Sequence, residues 1–162
     1  MMITINWTGL CGLCAWVVLL AFFFAKVEIH IEGEHGWAAN LPTWRIKKHW
    51  LLDVFWGGRP MTGYHAWVFS FLLLMVHLGF FITGEWSVRL EIRALASGAA
   101  FLMIEDVLWF ACNPAFGIRS FKKGRVPWHP RWMCGMPIEH WILGVGGIAL
   151  IIATFIRMGR IP

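Results

Sequence analysis

Charge is what this sequence has least of. Only 14% of its 162 residues are charged, 59% are hydrophobic, and mean hydropathy is +0.64. A soluble domain of this length carries about 25% charged residues, so the shortfall speaks against an ordinary water-soluble fold. The four cysteines, at 11, 14, 112 and 134, are too few and too scattered for a disulfide scaffold. Cys11-Gly-Leu-Cys14 lacks the following His of a c-type haem attachment site. It also has no βαβ context for a thioredoxin-like role, so both thiols read as small packing residues. No Walker loop, nucleotide-binding glycine fingerprint, G-x-S-x-G elbow or H-E-x-x-H occurs. The clustered motifs H-x-x-x-H and H-x-x-H-H are missing too. The N-terminus has no basic n-region, and its apolar run ends at Lys26 without a small-residue cleavage site. It reads as an uncleaved first span.

What is present is aromatic and aliphatic, with 12 Trp and 13 Phe. Four apolar runs come near the ~20 residues needed to cross a bilayer: roughly 7–27, 65–83, 90–112 and 137–156. The expected fold is therefore an all-α integral membrane protein, one domain over 1–162, built as a four-transmembrane-helix bundle. Small residues in the third run (Ala96 to Ala100) and the fourth (Gly144, Gly146, Gly147) let helix backbones approach closely, so these two spans are expected to pack. Residues 45–56, RIKKHWLLDVFW, have Ile46, Trp50 and Val54 at helical spacing, which predicts a short interfacial helix in the first long loop. Gly57–Gly63 is a turn by its Gly and Pro content.

The formal charge of +5 points to loops touching anionic lipid, not to nucleic acid, for which no motif is visible. The two long loops hold ten basic residues: Lys26, Arg45, Lys47, Lys48, Arg59, Arg119, Lys122, Lys123, Arg125 and Arg131. The other side has Arg89, Arg93, Arg157 and Arg160. That asymmetry predicts a cytoplasmic membrane location, long loops inside and both termini outside.

This orientation brings most of the acids and histidines to one leaflet. Val27–Trp37, VEIHIEGEHGW, holds Glu28, His30, Glu32 and His35 where the first span ends. The V-E-I-H-I-E alternation favours a strand, whereas continuity with the span favours a helix. Gly33 and Gly36 stop any helix near Ile31, and Glu28 and Glu32 project together in either conformation. Glu105 and Asp106 lie about two turns from the inner end of the third span, and Glu139 and His140 open the fourth. An acid at the bilayer centre costs roughly 2.5–3.5 kcal/mol, so two in succession call for a cation, a proton or a basic partner such as Arg119 or Arg125.

The expected catalytic residues are Glu105, Asp106, Glu139 and His140. The expected metal ligands are Glu28, His30, Glu32, His35, Glu105, Glu139 and His140; His30, His35 and His65 are secondary members of the site. The mixed nitrogen and oxygen set suits iron, manganese or zinc. Without a metal, the same groups would form an acid–base site. The expected function is a membrane-embedded enzyme, such as an oxidoreductase (hydroxylase) or an acid–base isomerase, acting on a hydrophobic small molecule from membrane lipid. One alternative is an accessory subunit of a larger membrane complex, with His77 as a candidate axial ligand. The other is a proton-coupled transporter working as a homo-oligomer.

Overall fold

The computed structural model describes residues 2–159 and is mostly helical. Among the described residues, three helices are long and apolar enough to cross a membrane: α1 (Trp7–Glu32), α3 (Gly63–Thr83) and α4 (Val88–Cys112). Between the first two lies α2 (Trp50–Phe55), and the last helix, α5, runs from His140 to Phe155. Short antiparallel pairs tie the loops. β1 (Met2–Ile5) pairs with β6 (Ile156–Gly159), β2 (Arg45–Ile46) with β3 (Met61–Thr62), and β4 (Trp132–Met133) with β5 (Met136–Pro137). Arg160 lies outside the described residues.

Local chemistry sets the helix ends. The Asn6, Thr62 and Ser87 side chains accept hydrogen bonds from the backbone N–H three residues on and so cap α1, α3 and α4. Gly84 ends α3 in the left-handed conformation that glycine adopts without a Cβ penalty. The Val27–Trp37 stretch is helical through Glu32 and stops at Gly33, whose φ is 65°. Its buried face includes Glu28, Ile29 and Glu32.

α4 is the axis of the fold. α1 and α5 pack along it, and α3 packs on it more lightly. Ala21 and Ala25 of α1 are fully buried, as are Ala96 and Ala100 of α4. At the α4–α5 contact, a Cβ on Gly147 would lie 2.9 Å from the Ala96 carbonyl oxygen, so only glycine permits this approach. One apolar cluster joins Leu10, Ala96, Ala100, Ile151 and Phe155, and another joins Ala25, Ile29, Trp109, Phe110, Val126 and Trp128.

Two elements differ from expectation. The interfacial helix is confined to Trp50–Phe55 instead of 45–56, because Arg45 and Ile46 are drawn into pairing with Thr62 and Met61. His49, in extended backbone, then caps the short helix. The fourth run forms a shorter helix. Its first six residues, His140–Val145, are π-helical and the next ten α-helical, at most about 24 Å of rise against a hydrocarbon core of about 30 Å.

Candidate functional site

Where α1 and α4 end, Asn113 Nδ2 donates to the Gly33 carbonyl at 2.9 Å and locks the two helices in register. That puts Glu28 and Glu32 at the depth of Glu105 and Asp106. Thr62 and the β2–β3 pair bring the start of α3, with Tyr64 and His65, to the same place. The π-helical opening of α5 adds His140, which together with Glu139 before it faces the same cavity. A cavity of about 50 Å³ is lined by Glu28, Glu32, Glu105, Asp106 and Glu139, with His65, His140 and Arg59.

The cluster has two halves. In the first, Asp106 Oδ2 lies 3.0 Å from His129 Nε2 and 3.0 Å from His140 Nε2. These three residues offer ligand atoms within 4.8 Å of one another, the geometry of a metal-binding group. The other nitrogen of His129, Nδ1, is 2.6 Å from Glu139 Oε1. Arg59 Nη2 donates to Glu139 Oε1 at 3.1 Å and lies 2.6 and 3.0 Å from the two ring nitrogens of His129. Burial pushes the Glu139 carboxyl up, but the hydrogen bond with His129 and the charge of Arg59 outweigh it, holding the group below the usual carboxylate range.

In the second half, Tyr64 Oη donates to Glu28 Oε1 at 3.2 Å and the Ala38 N–H to Glu32 Oε1 at 2.5 Å, while His65 Nε2 lies 3.6 Å from Glu32. Trp37 stacks on His65 with ring centroids 3.8 Å apart and donates through Nε1 to the Pro60 carbonyl at 2.8 Å. Trp37 and Ala38 both have positive φ, 48° and 51°, a strain of roughly 1–2 kcal/mol per residue. The strain sets the Ala38 N–H on Glu32 and the indole on His65; Arg45 donates to the Ala38 carbonyl and fastens the turn.

Partners run short here. Five carboxylates line the cavity and one arginine meets them. Glu105 Oε1, Glu139 Oε2 and His140 Nδ1 are buried with no hydrogen-bond partner among the described residues. Buried polar atoms are nearly always satisfied, and each exception calls for an ion, a proton or a water.

Among the candidates named from sequence, Glu28, Glu32, Glu105, Asp106, Glu139, His140 and His65 line the one cavity. His30 and His35 do not join it. Both are exposed, and His35 lies 3.6 Å from the exposed Glu34. His30 falls on the outward face of α1 because the segment is helical, and His35 lies past the glycine that ends the helix. Arg119 and Arg125 are exposed as well, and histidines, not these arginines, meet Asp106. Both ring nitrogens of His77 face acceptors, Glu91 Oε1 at 2.8 Å and the Leu73 carbonyl at 2.6 Å, which leaves neither for an axial bond. Cys11 and Cys14 are free and exposed on α1.

Two site residues were not named as candidates, His129 and Arg59. His129 sits in P-W-H-P-R-W and closes a turn through its N–H on the Val126 carbonyl; nothing in that irregular segment marks the ring as inward-facing. Arg59 sits in the Gly57–Gly63 turn. A Cβ on Gly57 would fall 2.7 Å from Glu139 Oε2, so the turn fits only because this position has no side chain. No protein-family model, curated protein or solved structure matches the chain, and its function is therefore read from this geometry.

Proposed function

We propose that this chain is a membrane-embedded metalloenzyme that acts on a lipid-soluble substrate at the cytoplasmic leaflet. Asp106, His129 and His140 hold the ion, which is iron, manganese or zinc. The observation that carries the reading is the convergence of two imidazole nitrogens and one carboxylate oxygen from three separate elements, beside a cavity that Asp106 and His140 line and that has unsatisfied polar atoms. Asp106 Oδ2 lies 3.0 Å from the Nε2 atom of each ring, so the three residues would be close enough to hold one ion. Two histidines and one carboxylate leave coordination positions open. There a bound ion would activate water or oxygen.

The remaining groups have roles around this centre. Glu139 accepts from His129 Nδ1–H, fixing the tautomer that leaves Nε2 free to ligate. Arg59, held by its Glu139 bond and by the Trp37 ring 4.4 Å away, balances that carboxylate. Glu105, Glu28 and Glu32 stand beside the open side as proton acceptors or donors to substrate. The basic long loops support the cytoplasmic orientation, with α5 as a short fourth span.

A second reading has one observation in its favour. Arg59 Nη2 lies 3.0 Å from His129 Nε2, on the atom a metal would take. In that version Arg59 donates to Nε2 of a neutral His129 whose Nδ1–H donates to Glu139, and the site does acid–base work without an ion.

Elemental analysis of protein purified in detergent decides between them. The metal reading expects about one equivalent of iron, manganese or zinc in wild type and in His77→Ala, and loss of it in His129→Ala. Wild type that stays sub-stoichiometric after incubation with each of the three ions in turn overturns the metal centre and leaves the acid–base reading.

A further inference from the structure

The walls of the cavity change character with depth. On the aqueous side it is closed by the Trp37–His65 stack, by the Arg59 guanidinium over Trp37, and by Trp56 and Trp128. One helical turn toward the middle of each helix, polar residues give way to apolar ones. Phe24 precedes Glu28 on α1, Phe69 follows His65 on α3, and Met103 precedes Asp106 on α4. On α5, Leu143 follows His140. These four apolar residues are partly exposed, as are Trp37, Trp56 and Asp106, whereas Glu28, Glu32, His65, Glu105, Glu139 and His140 are buried. The loop side is covered by the stacked and hydrogen-bonded Trp37, and the side with flexible apolar side chains lies along the helices, toward the hydrocarbon.

α1 and α3 form the two sides of this opening. Both pack on α4, and the Tyr64–Glu28 bond joins them at their inner ends. Charge then selects what can enter. Five carboxylates against one arginine repel an anionic head group. A cationic one loses its water at the entrance, where Phe24, Phe69, Met103 and Leu143 offer no polar partner. A volume near 50 Å³ holds one or two waters, so an occupant must be thin and must displace Phe24, Phe69 or Met103 side chains.

We propose that the cavity admits one uncharged hydrocarbon chain from the bilayer, sideways between α1 and α3 past Phe24 and Phe69, so that the substrate is a neutral long-chain lipid. This rests on the enzyme reading above and adds its substrate class and its route of entry.

The test uses the full chain in phosphatidylcholine nanodiscs, with hexadecanol carrying a mid-chain diazirine as probe and the matching palmitate as its charged counterpart. After photolysis, labelled residues are mapped by mass spectrometry and metal is measured on the same sample. Hexadecanol is expected to label residues around 24–28, 65–69 and 102–106. Phe69→Trp should cut that labelling about tenfold, the equivalent of about 1.4 kcal/mol of binding. Phe69→Ala should raise it, and Phe81→Trp, on the outer face of α3, should leave it unchanged. Label confined to the lipid-facing side chains Phe71, Leu74 and Phe81 overturns the inference, as does equal labelling by palmitate. An unlabelled cavity with a full complement of metal sinks the entry route alone. A labelled cavity without metal sinks the metal centre alone.

Discussion

The two ends of this helical bundle both hold ionisable residues, and they treat them differently. At the end away from the cavity, His77, Glu91, Arg89 and Arg93 have partners. His77 meets Glu91 at 2.8 Å, the Trp86 indole donates to the other oxygen of Glu91 at 2.8 Å, and Arg93 donates to Thr154 at 3.0 and 3.1 Å. Arg89 donates to the Ile156 carbonyl at 3.3 Å. At the cavity end, five carboxylates meet one arginine, and Glu105, Glu139 and His140 each keep a buried atom with no partner among the described residues. Groups with hydrogen-bond partners at a helix end describe a structural tie. A buried surplus of one sign is costly unless something else binds, which is the ground for placing the proposed ligand at this end.

The largest expected effect falls on Arg59. It is 7% exposed, and its bond to Glu139 joins side chains that are each 8% exposed. Breaking a buried pair by removing one partner costs about 3–5 kcal/mol. Arg59→Ala should lower stability by that order in a denaturant titration in detergent. Arg89→Ala, which loses an exposed hydrogen bond, should cost about 1 kcal/mol or less. Equal losses at the two arginines would erase the contrast between the ends.

Next comes Glu139, the outer partner of His129. Loss of such a partner weakens metal affinity about 10–100-fold, and Glu139→Gln should do so while the protein remains folded, as read by competition with a chelating dye. Acid gives an independent measure. The Glu139 carboxyl is held below its ordinary value by His129 and Arg59, against the upward push of burial. Its contribution to stability is thus complete above the unfolded value, near pH 4.3, and is lost as pH falls through the lower folded one. Glu139→Gln should flatten that acid limb of the unfolding profile. An unchanged limb would remove Glu139 from the network.

A smaller effect is expected at Gly57, where φ is +62° and a Cβ would lie 2.7 Å from Glu139 Oε2. Gly57→Ala combines roughly 1–2 kcal/mol of left-handed strain with a shifted carboxylate. It should lower the melting temperature slightly and weaken metal binding less than Glu139→Gln does. Gly117→Ala, with a similar φ but open space around it, should show the strain and leave metal binding alone. If both glycines behave alike, Gly57 is only a turn residue.

These residues also show how far the sequence could be read. The three long helices follow from apolar runs bounded by Asn6, Thr62, Ser87 and two glycines, signals that act locally. Glu28 and Glu32 share a face in helix and strand alike, so their joint projection did not depend on the conformation. His30 and His35 did depend on it, and the helix turned His30 outward. His129 and Arg59 were illegible for a different reason. Each sits in an irregular loop whose path is set by contacts with distant segments, the Trp37 ring for Arg59 and Asp106 for His129. The π-helical start of α5 has no signal in I-E-H-W-I-L-G-V-G-G beyond its glycines. Within it, Gly144 lies against Met103, where a Cβ would clash.

The smallest expected effect is at His77, and it tests the comparison from the quiet end. His77 and Glu91 are paired and partly exposed, with side-chain exposures of 24% and 29%. Hydrogen bonds to Glu91 and to the Leu73 carbonyl use both ring nitrogens, so the ring ties α3 to α4 and has no valence left for a ligand. His77→Ala should lower the melting temperature a little through the lost tie. Metal content and cavity labelling should match wild type, because the pair lies on the far half of α3 from His65 and Phe69. A His77→Ala protein that folds but loses its metal would mean that the two ends are coupled through α4, and that matched charge at one end helps to set the surplus at the other.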